Sequence, residues 1–248
     1  MRRLWHLALA SSLLAISAPA SAGPDTGTRS AGFSGVWMGL KTLFGSGSYT
    51  PQPRWVTLFD DGQAFEDLPN DGLLGFDRRA SHADPNRAAY WGTWSMQGRA
   101  GAIQKPGVLP TKITVEGPDR IKLDSTLFYR CAPVTGLRLA GSWTSYADPS
   151  DPGLARQPVG RRPVITFTSD GRFTDDGVFA TFLTSRAGEG HARDQAGSGT
   201  YRLEDFTLIL TYADGRTRHE AFTLLLGGTP AQSLNVVYIR RSRFNRIP

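Results

Sequence analysis

The 248-residue chain carries a formal net charge of +6 and a single cysteine, Cys131. One cysteine excludes an intramolecular disulfide framework and any zinc site built from several thiolates of one chain. Lys41, Lys105, Lys112 and Lys122 are the only lysines. The basic balance is therefore arginine, which reads as a compositional bias rather than a nucleic-acid footprint.

Residues 1–22 read as a signal peptide. Arg2 and Arg3 form a positive start, Leu7–Ile16 is an apolar run too short to span a bilayer, and Ala20-Ser21-Ala22 is a small-residue cleavage site. The expected location is periplasmic or secreted. No later segment has the length and apolarity of a transmembrane helix. Residues 23–31 form a polar leader expected to be poorly ordered.

A first unit is expected over residues 32–133. It opens with Gly35-Val36-Trp37. A strand at Trp55–Phe59 runs into the turn Asp60-Asp61-Gly62, and Gln63-Ala64-Phe65 starts the return. Leu68–Asn86 is rich in Pro, Gly and Asp, shows no period and is expected to be a loop. Strands follow at Tyr90–Trp94, Lys112–Val115 and Arg120–Arg130, the last with Ile121 and Leu123 alternating with Lys122 and Asp124. Cys131 is expected to be a buried small hydrophobe. The join is Ala132–Leu139.

A second unit, expected over residues 139–246, repeats this order. Gly141-Ser142-Trp143 answers Gly35-Val36-Trp37. Val164–Phe167 with Ser169-Asp170-Gly171 answers Val56–Phe59 with Asp60-Asp61-Gly62. Gly199-Thr200-Tyr201 answers Gly92-Thr93-Trp94, and Tyr238-Ile239-Arg240 answers Tyr129-Arg130. Trp37 to Trp94 spans 57 residues and Trp143 to Tyr201 spans 58. Landmarks in one order at matched spacing mark an internal duplication. The clearest copy is Gly197–Arg216, where Leu208, Leu210 and Tyr212 share one strand face before an Asp214-Gly215 turn. A second long loop, Phe182–Ala196, sits where Leu68–Asn86 sits in the first unit. No segment after the signal peptide shows a helical period. The expected fold is all-β, as two tandem small antiparallel meander barrels, with one larger barrel or sandwich formed jointly by both halves as the alternative.

Gly-x-Trp on the first strand, with an arginine near the last, resembles the lipocalin-like (calycin-type) superfamily, including short bacterial lipocalin-like domains. The resemblance implies that the Trp lies across the closed end and that the arginine packs over its indole. The matching positions are Trp37 with Arg130 and Trp143 with Arg240, 93 and 97 residues apart. Gly35-Val-Trp37-Met-Gly39-Leu-Lys41 is also similar in part to the start of nitrobindin-type haem barrels. Lys41 and Ser145 stand where that pattern needs glycines, so no cofactor is expected.

Catalytic signatures are missing. Gly32-Phe33-Ser34-Gly35 is one residue short of a nucleophile elbow, and His219-Glu220 lacks a second histidine at zincin spacing. His219 is expected to be a structural residue. Asp60/Asp61 and Asp175/Asp176 point to opposite strand faces and are read as turn residues. The binding candidates are His82 with Asp84 and His191 with Asp194, one pair in each long loop, weighed against ordinary polar loop residues. The expected function is a non-catalytic binding or envelope-associated protein. Its partner would be a small apolar ligand inside a barrel, or an anionic envelope component meeting Arg240, Arg241, Arg243 and Arg246. The alternatives are a hydrolase-like or metal-dependent enzyme using the loops around His82 and His191, or a structural protein.

Overall fold

Two closed eight-stranded antiparallel barrels follow one another along the chain, so the halves do not merge into one larger barrel or sandwich. The computed structural model describes residues 32–45, 48–145, 163–179, 196–224 and 234–248. The signal peptide, the leader, His191 and Asp194 lie outside the described residues. The first barrel comprises β1 (Gly35–Gly45), β2 (Ser48–Leu58), β3 (Gln63–Phe65), β4 (Trp91–Gln97), β5 (Ala100–Gln104), β6 (Thr111–Gly117), β7 (Arg120–Leu123) and β8 (Thr126–Arg130). The second comprises β9 (Gly141–Ser145), β10 (Val164–Phe167), β11 (Arg172–Asp175), β12 (Gly197–Glu204), β13 (Thr207–Tyr212), β14 (Thr217–Leu224), β15 (Val236–Ile239) and β16 (Ser242–Ile247). This architecture is consistent with a lipocalin-like barrel.

Alternation sends one face of each strand inward. Trp37, Val56, Leu58, Trp94, Met96, Ile113 and Phe128 belong to the core of the first barrel. Trp143, Phe167, Phe173, Tyr201, Leu210, Phe222 and Phe244 belong to that of the second. Large side chains thus occupy both interiors, as barrels of this size permit.

The duplication is repeated at the level of single hydrogen bonds. Trp94 N donates to Gly62 O, and Tyr201 N donates to Gly171 O, each at 2.8 Å. The Trp94 indole donates to Phe59 O at 2.8 Å, and the Tyr201 hydroxyl donates to Thr168 O at 3.2 Å. Phe59 therefore corresponds to Thr168, one residue beyond the Phe167 that sequence alignment assigns. In both turns an aspartate accepts from the backbone two residues on: Asp61 from Gln63 N at 3.0 Å, Asp170 from Arg172 N at 3.3 Å.

First and last strands close each barrel. In the first, Trp37 lies opposite Arg130. The guanidinium sits 4.3 Å from the indole ring, and donates to Ser34 O at 2.5 Å and to Gly32 O. In the second, the residue opposite Trp143 is Arg246, not Arg240. Its guanidinium lies 5.6 Å from the Trp143 ring and donates to Ala140 O, the counterpart of Ser34 O, at 2.7 Å. Register explains the correction. The partner of β9 is β16, whereas Arg240 occupies the turn between β15 and β16.

The stretch 68–86, expected to be a loop, holds a short helix, α1 (Arg78–Ala83), and the start of a second, α2 (Pro85–Ala88). Capping sustains them rather than periodicity. Asp77 accepts from Ala80 N, Asp84 accepts from Asn86 N, and Pro85 takes the first turn of α2, where a missing N–H costs nothing.

The barrels are joined along a packed seam. Val36, Met38 and Trp55, on the outer face of β1 and β2, meet Ala221 and Tyr238 of the second barrel, with Leu68 and Cys131 in the same cluster. The Trp55 indole donates to Thr223 Oγ1 at 3.3 Å, and its ring meets Tyr238 edge-on at 5.5 Å. The segment after Leu68 then runs along the second barrel. Ala221 N donates to Asn70 O at 2.7 Å, Leu73 N to Asp205 O at 3.3 Å, and Leu74 N to Thr207 Oγ1 at 2.9 Å. Gly72 has φ +80°, and a Cβ there would overlap Thr207, so close approach requires glycine.

Candidate functional site

The segment that crosses the seam walls a cleft of about 920 Å³ against one end of the second barrel. The strand pattern dictates what faces it. On β14, Phe222 and Leu224 point into the barrel core, so Arg218 and Glu220 share that inward face nearer the rim. At that rim Tyr212 ends β13, Arg216 precedes β14, and Arg240 stands in the turn after β15. Barrel mouths are common ligand sites because a rigid rim presents side chains from several strands.

Glu220 is the centre of this mouth. It is 2% exposed. Its Oε1 accepts from Arg218 Nε, and its Oε2 lies 3.7 Å from Arg240 Nε without a hydrogen bond from any atom of the described residues. Burial holds the carboxyl above the usual carboxylate range, against the opposing pull of Arg218 and Arg240. Arg218 also covers the Phe179 ring at 4.4 Å, while Arg216 covers the Tyr212 ring at 4.1 Å. The Tyr212 hydroxyl donates to Asp175 Oδ2 at 2.8 Å, and Asp175 Oδ1 accepts from Gly177 N and Val178 N at 2.9 and 2.7 Å. Burial raises the Asp175 carboxyl despite these bonds, and burial with the nearby Asp175 charge raises Tyr212.

The turn that delivers Arg240 is built at a cost. Arg240 and Arg241 both adopt left-handed conformations, φ +51° and +68°. For residues with a Cβ that conformation costs roughly 1–2 kcal/mol each. Both side chains are used. Arg240 reaches Glu220, and Arg241 crosses the seam to Asp67 at 2.5 Å. The opposite wall of the cleft is acidic, with Asp71, Asp77 and Asp84. Asp77 and Asp84 also cap the short helices, and Asp84 lies 3.6 Å from Arg87.

The candidates read from sequence fare differently. Asp84 lines the cleft, whereas His82 stacks on Trp91 at 4.0 Å. His219, expected to be structural, is exposed on the outer face of β14 and lines the cleft. Arg240, Arg241, Arg243 and Arg246 reach different neighbours: Glu220, Asp67, Asn245 and the Trp143 ring respectively. Cys131 is buried, and burial pushes its thiol up to about 12. Sequence reasoning missed Arg218 and Glu220. The available signal was parity, since Arg218-x-Glu220-x-Phe222-x-Leu224 places two charges on a core-facing strand face. No protein-family model matches the chain, and no curated protein matches it.

Proposed function

We propose that the protein is an extracytoplasmic binding protein of the bacterial lipocalin-like kind, exported by its first 22 residues, whose ligand occupies the mouth of the second barrel rather than a barrel lumen. The observation that carries this reading is Glu220 Oε2, a buried acceptor on a carboxyl flanked by Arg218 and Arg240 that has no hydrogen-bond donor among the described residues. Buried polar atoms in native proteins are nearly always satisfied, so a ligand N–H or O–H is the natural partner. Arg240 beside it suits an anionic or carbonyl group on the same molecule. The ligand is therefore a small polar compound with a donor next to an acceptor, as in amino acids, short peptides or amino sugars. Packed side chains in both interiors argue against an apolar ligand held deep in either barrel.

Native mass spectrometry of protein isolated from its own cell envelope tests the reading. The wild type should carry a small bound mass, and Arg240→Gln should carry less of it. A wild type that is bare, and whose melting temperature no polar metabolite raises, would sink the proposal.

A further inference from the structure

The end of the first barrel where β1, β3, β5 and β7 finish has a different character from the mouth of the second. Strand directions alternate around a closed antiparallel barrel. The β1–β2 hairpin, the segment before β4 and the β5–β6 loop therefore share one end. Leu40 (46% exposed), Tyr90 (43%), Val108 (53%) and Leu109 (90%) all lie there. Four exposed large hydrophobic residues at one end are not the scatter of single apolar groups that a soluble surface normally shows.

The β5–β6 loop is built to hold its tip out. Pro106 and Pro110 bracket Gly107-Val108-Leu109, and Gly107 takes φ +73°. The Gln104 side-chain amide donates to Lys105 O at 2.9 Å and to Val108 O at 3.2 Å. The loop backbone is thus pinned from within while Leu109 projects, so the entropy of ordering is spent before any contact forms. β1 and β2 add a second projection. β1 pairs with β8 only over Trp37–Gly39, and β2 with β3 only over Thr57–Leu58, whereas β1 and β2 stay paired as far as Gly45 and Ser48. This leaves a two-stranded ribbon beyond the barrel wall.

Charge distinguishes between occupants. Residues 36–58 and 98–115, which carry both projections, contain no Asp or Glu. Lys41 follows Leu40 directly, and Lys105 and Lys112 flank Val108-Leu109 at three residues on either side. Lys105 pairs with Glu66 at 2.5 Å, while Lys41 and Lys112 are exposed. Asp124, in the β7–β8 turn, is the acidic residue nearest Lys112 in the ladder, and its Oδ1 accepts from Lys112 N at 2.9 Å. Aliphatic tips with lysines set behind them match the depth profile of a bilayer interface, where apolar groups enter the acyl boundary and cations stay among anionic headgroups.

We infer that this end of the first barrel is a membrane-docking surface, with Val108 and Leu109 inserting and Lys41 and Lys112 reading anionic phospholipid. It shares no residue with the Glu220 mouth, so either assignment can fail without the other.

Co-sedimentation of the mature protein with vesicles of phosphatidylethanolamine and phosphatidylglycerol is the test, with phosphatidylcholine vesicles as comparison. The protein should sediment with the anionic vesicles and lose that binding as salt rises. Val108→Asp/Leu109→Asp should weaken binding roughly tenfold or more, and each of Lys41→Gln and Lys112→Gln roughly fivefold. All four positions are exposed, so melting curves should match the wild type. Failure of the wild type to sediment with phosphatidylglycerol vesicles would overturn the inference and leave these tips to a protein partner. Unchanged binding by the folded Val108→Asp/Leu109→Asp variant would also overturn it.

Discussion

Trp55→Ala probes whether the two barrels unfold as one unit. Trp55 is 4% exposed and lies in the seam cluster, not in either barrel core. Truncating a buried Trp costs about 3–5 kcal/mol. That figure already contains the bond to Thr223 and the edge contact with Tyr238. For a chain of this size the loss corresponds to a fall in melting temperature of about 6–20 °C. The form of the transition carries more information than its midpoint. Each barrel closes on its own core, so the seam is what makes them cooperate. Calorimetry should show one transition in the wild type and two in the variant, as coupling is lost. A second readout is Cys131, which lies in the same cluster, with its thiol pushed up to about 12 by burial. Thiolate is the reactive form, so alkylation should be slow in the native wild type and much faster in Trp55→Ala. A single unshifted transition with unchanged Cys131 labelling would refute the seam as the coupling element.

Arg246→Ala should destabilise the second barrel by about 1 kcal/mol, measured by denaturant unfolding, because it removes a guanidinium from Trp143 and a bond to Ala140 O. Arg240→Ala should act only through Glu220, so its cost should fade at acidic pH where that carboxyl is protonated. An equal effect of Arg240→Ala at all pH values would contradict this. Gly72→Ala and Gly75→Ala impose similar positive φ angles (+80° and +72°), but only the Gly72 Cβ would meet Thr207. The Gly72 variant should be the less stable by about 1–3 kcal/mol in chemical unfolding, and equal losses would remove the close contact from the account. Burial raises the folded pKa of Glu220 above its unfolded value of 4.5, so the native state binds more protons in that interval. Stability from this group is therefore greatest at low pH and falls as pH rises through the folded pKa. Glu220→Gln should remove that fall, so wild-type stability relative to the variant should decline with rising pH in melts across the acid-to-neutral range. Parallel curves would refute it.

Much of this fold is legible in the sequence, because turns and alternation are local. Asp-Gly turns and the Gly-x-Trp starts locate the strands and the duplication. Pairing of first with last strand is not local, and there Tyr238-x-Arg240 misled. The motif that tracks the closing arginine is Phe-x-Arg, Phe128-x-Arg130 and Phe244-x-Arg246, in which the Phe is buried and the Arg faces the indole. The short helices escape detection because two aspartate caps, not an apolar stripe, hold them. The seam did leave a trace. Val36-Trp37-Met38 and Val236-Val237-Tyr238-Ile239 are continuous apolar runs where a barrel wall facing water would alternate, the mark of strands covered on both faces. The Glu220 site is harder to read, because its meaning depends on which strand end becomes a rim and on a wall supplied by the other half of the chain.

The closing strands also set an order of events. Trp37 must find Arg130 across 93 residues and Trp143 must find Arg246 across 103. Looping chains of either length costs on the order of 4 kcal/mol, nearly the same for both halves. Neither barrel has a head start from topology, and both belong to the slow class of non-local β folds. In a polypeptide that emerges amino end first, however, the first barrel can zip shut while β16 is still absent. Its outer face then offers Val36, Met38 and Trp55 as an uncovered apolar strip until the second barrel arrives. The interval between the two closures is when this protein is most exposed to misassociation, and β16 is the strand whose arrival ends it.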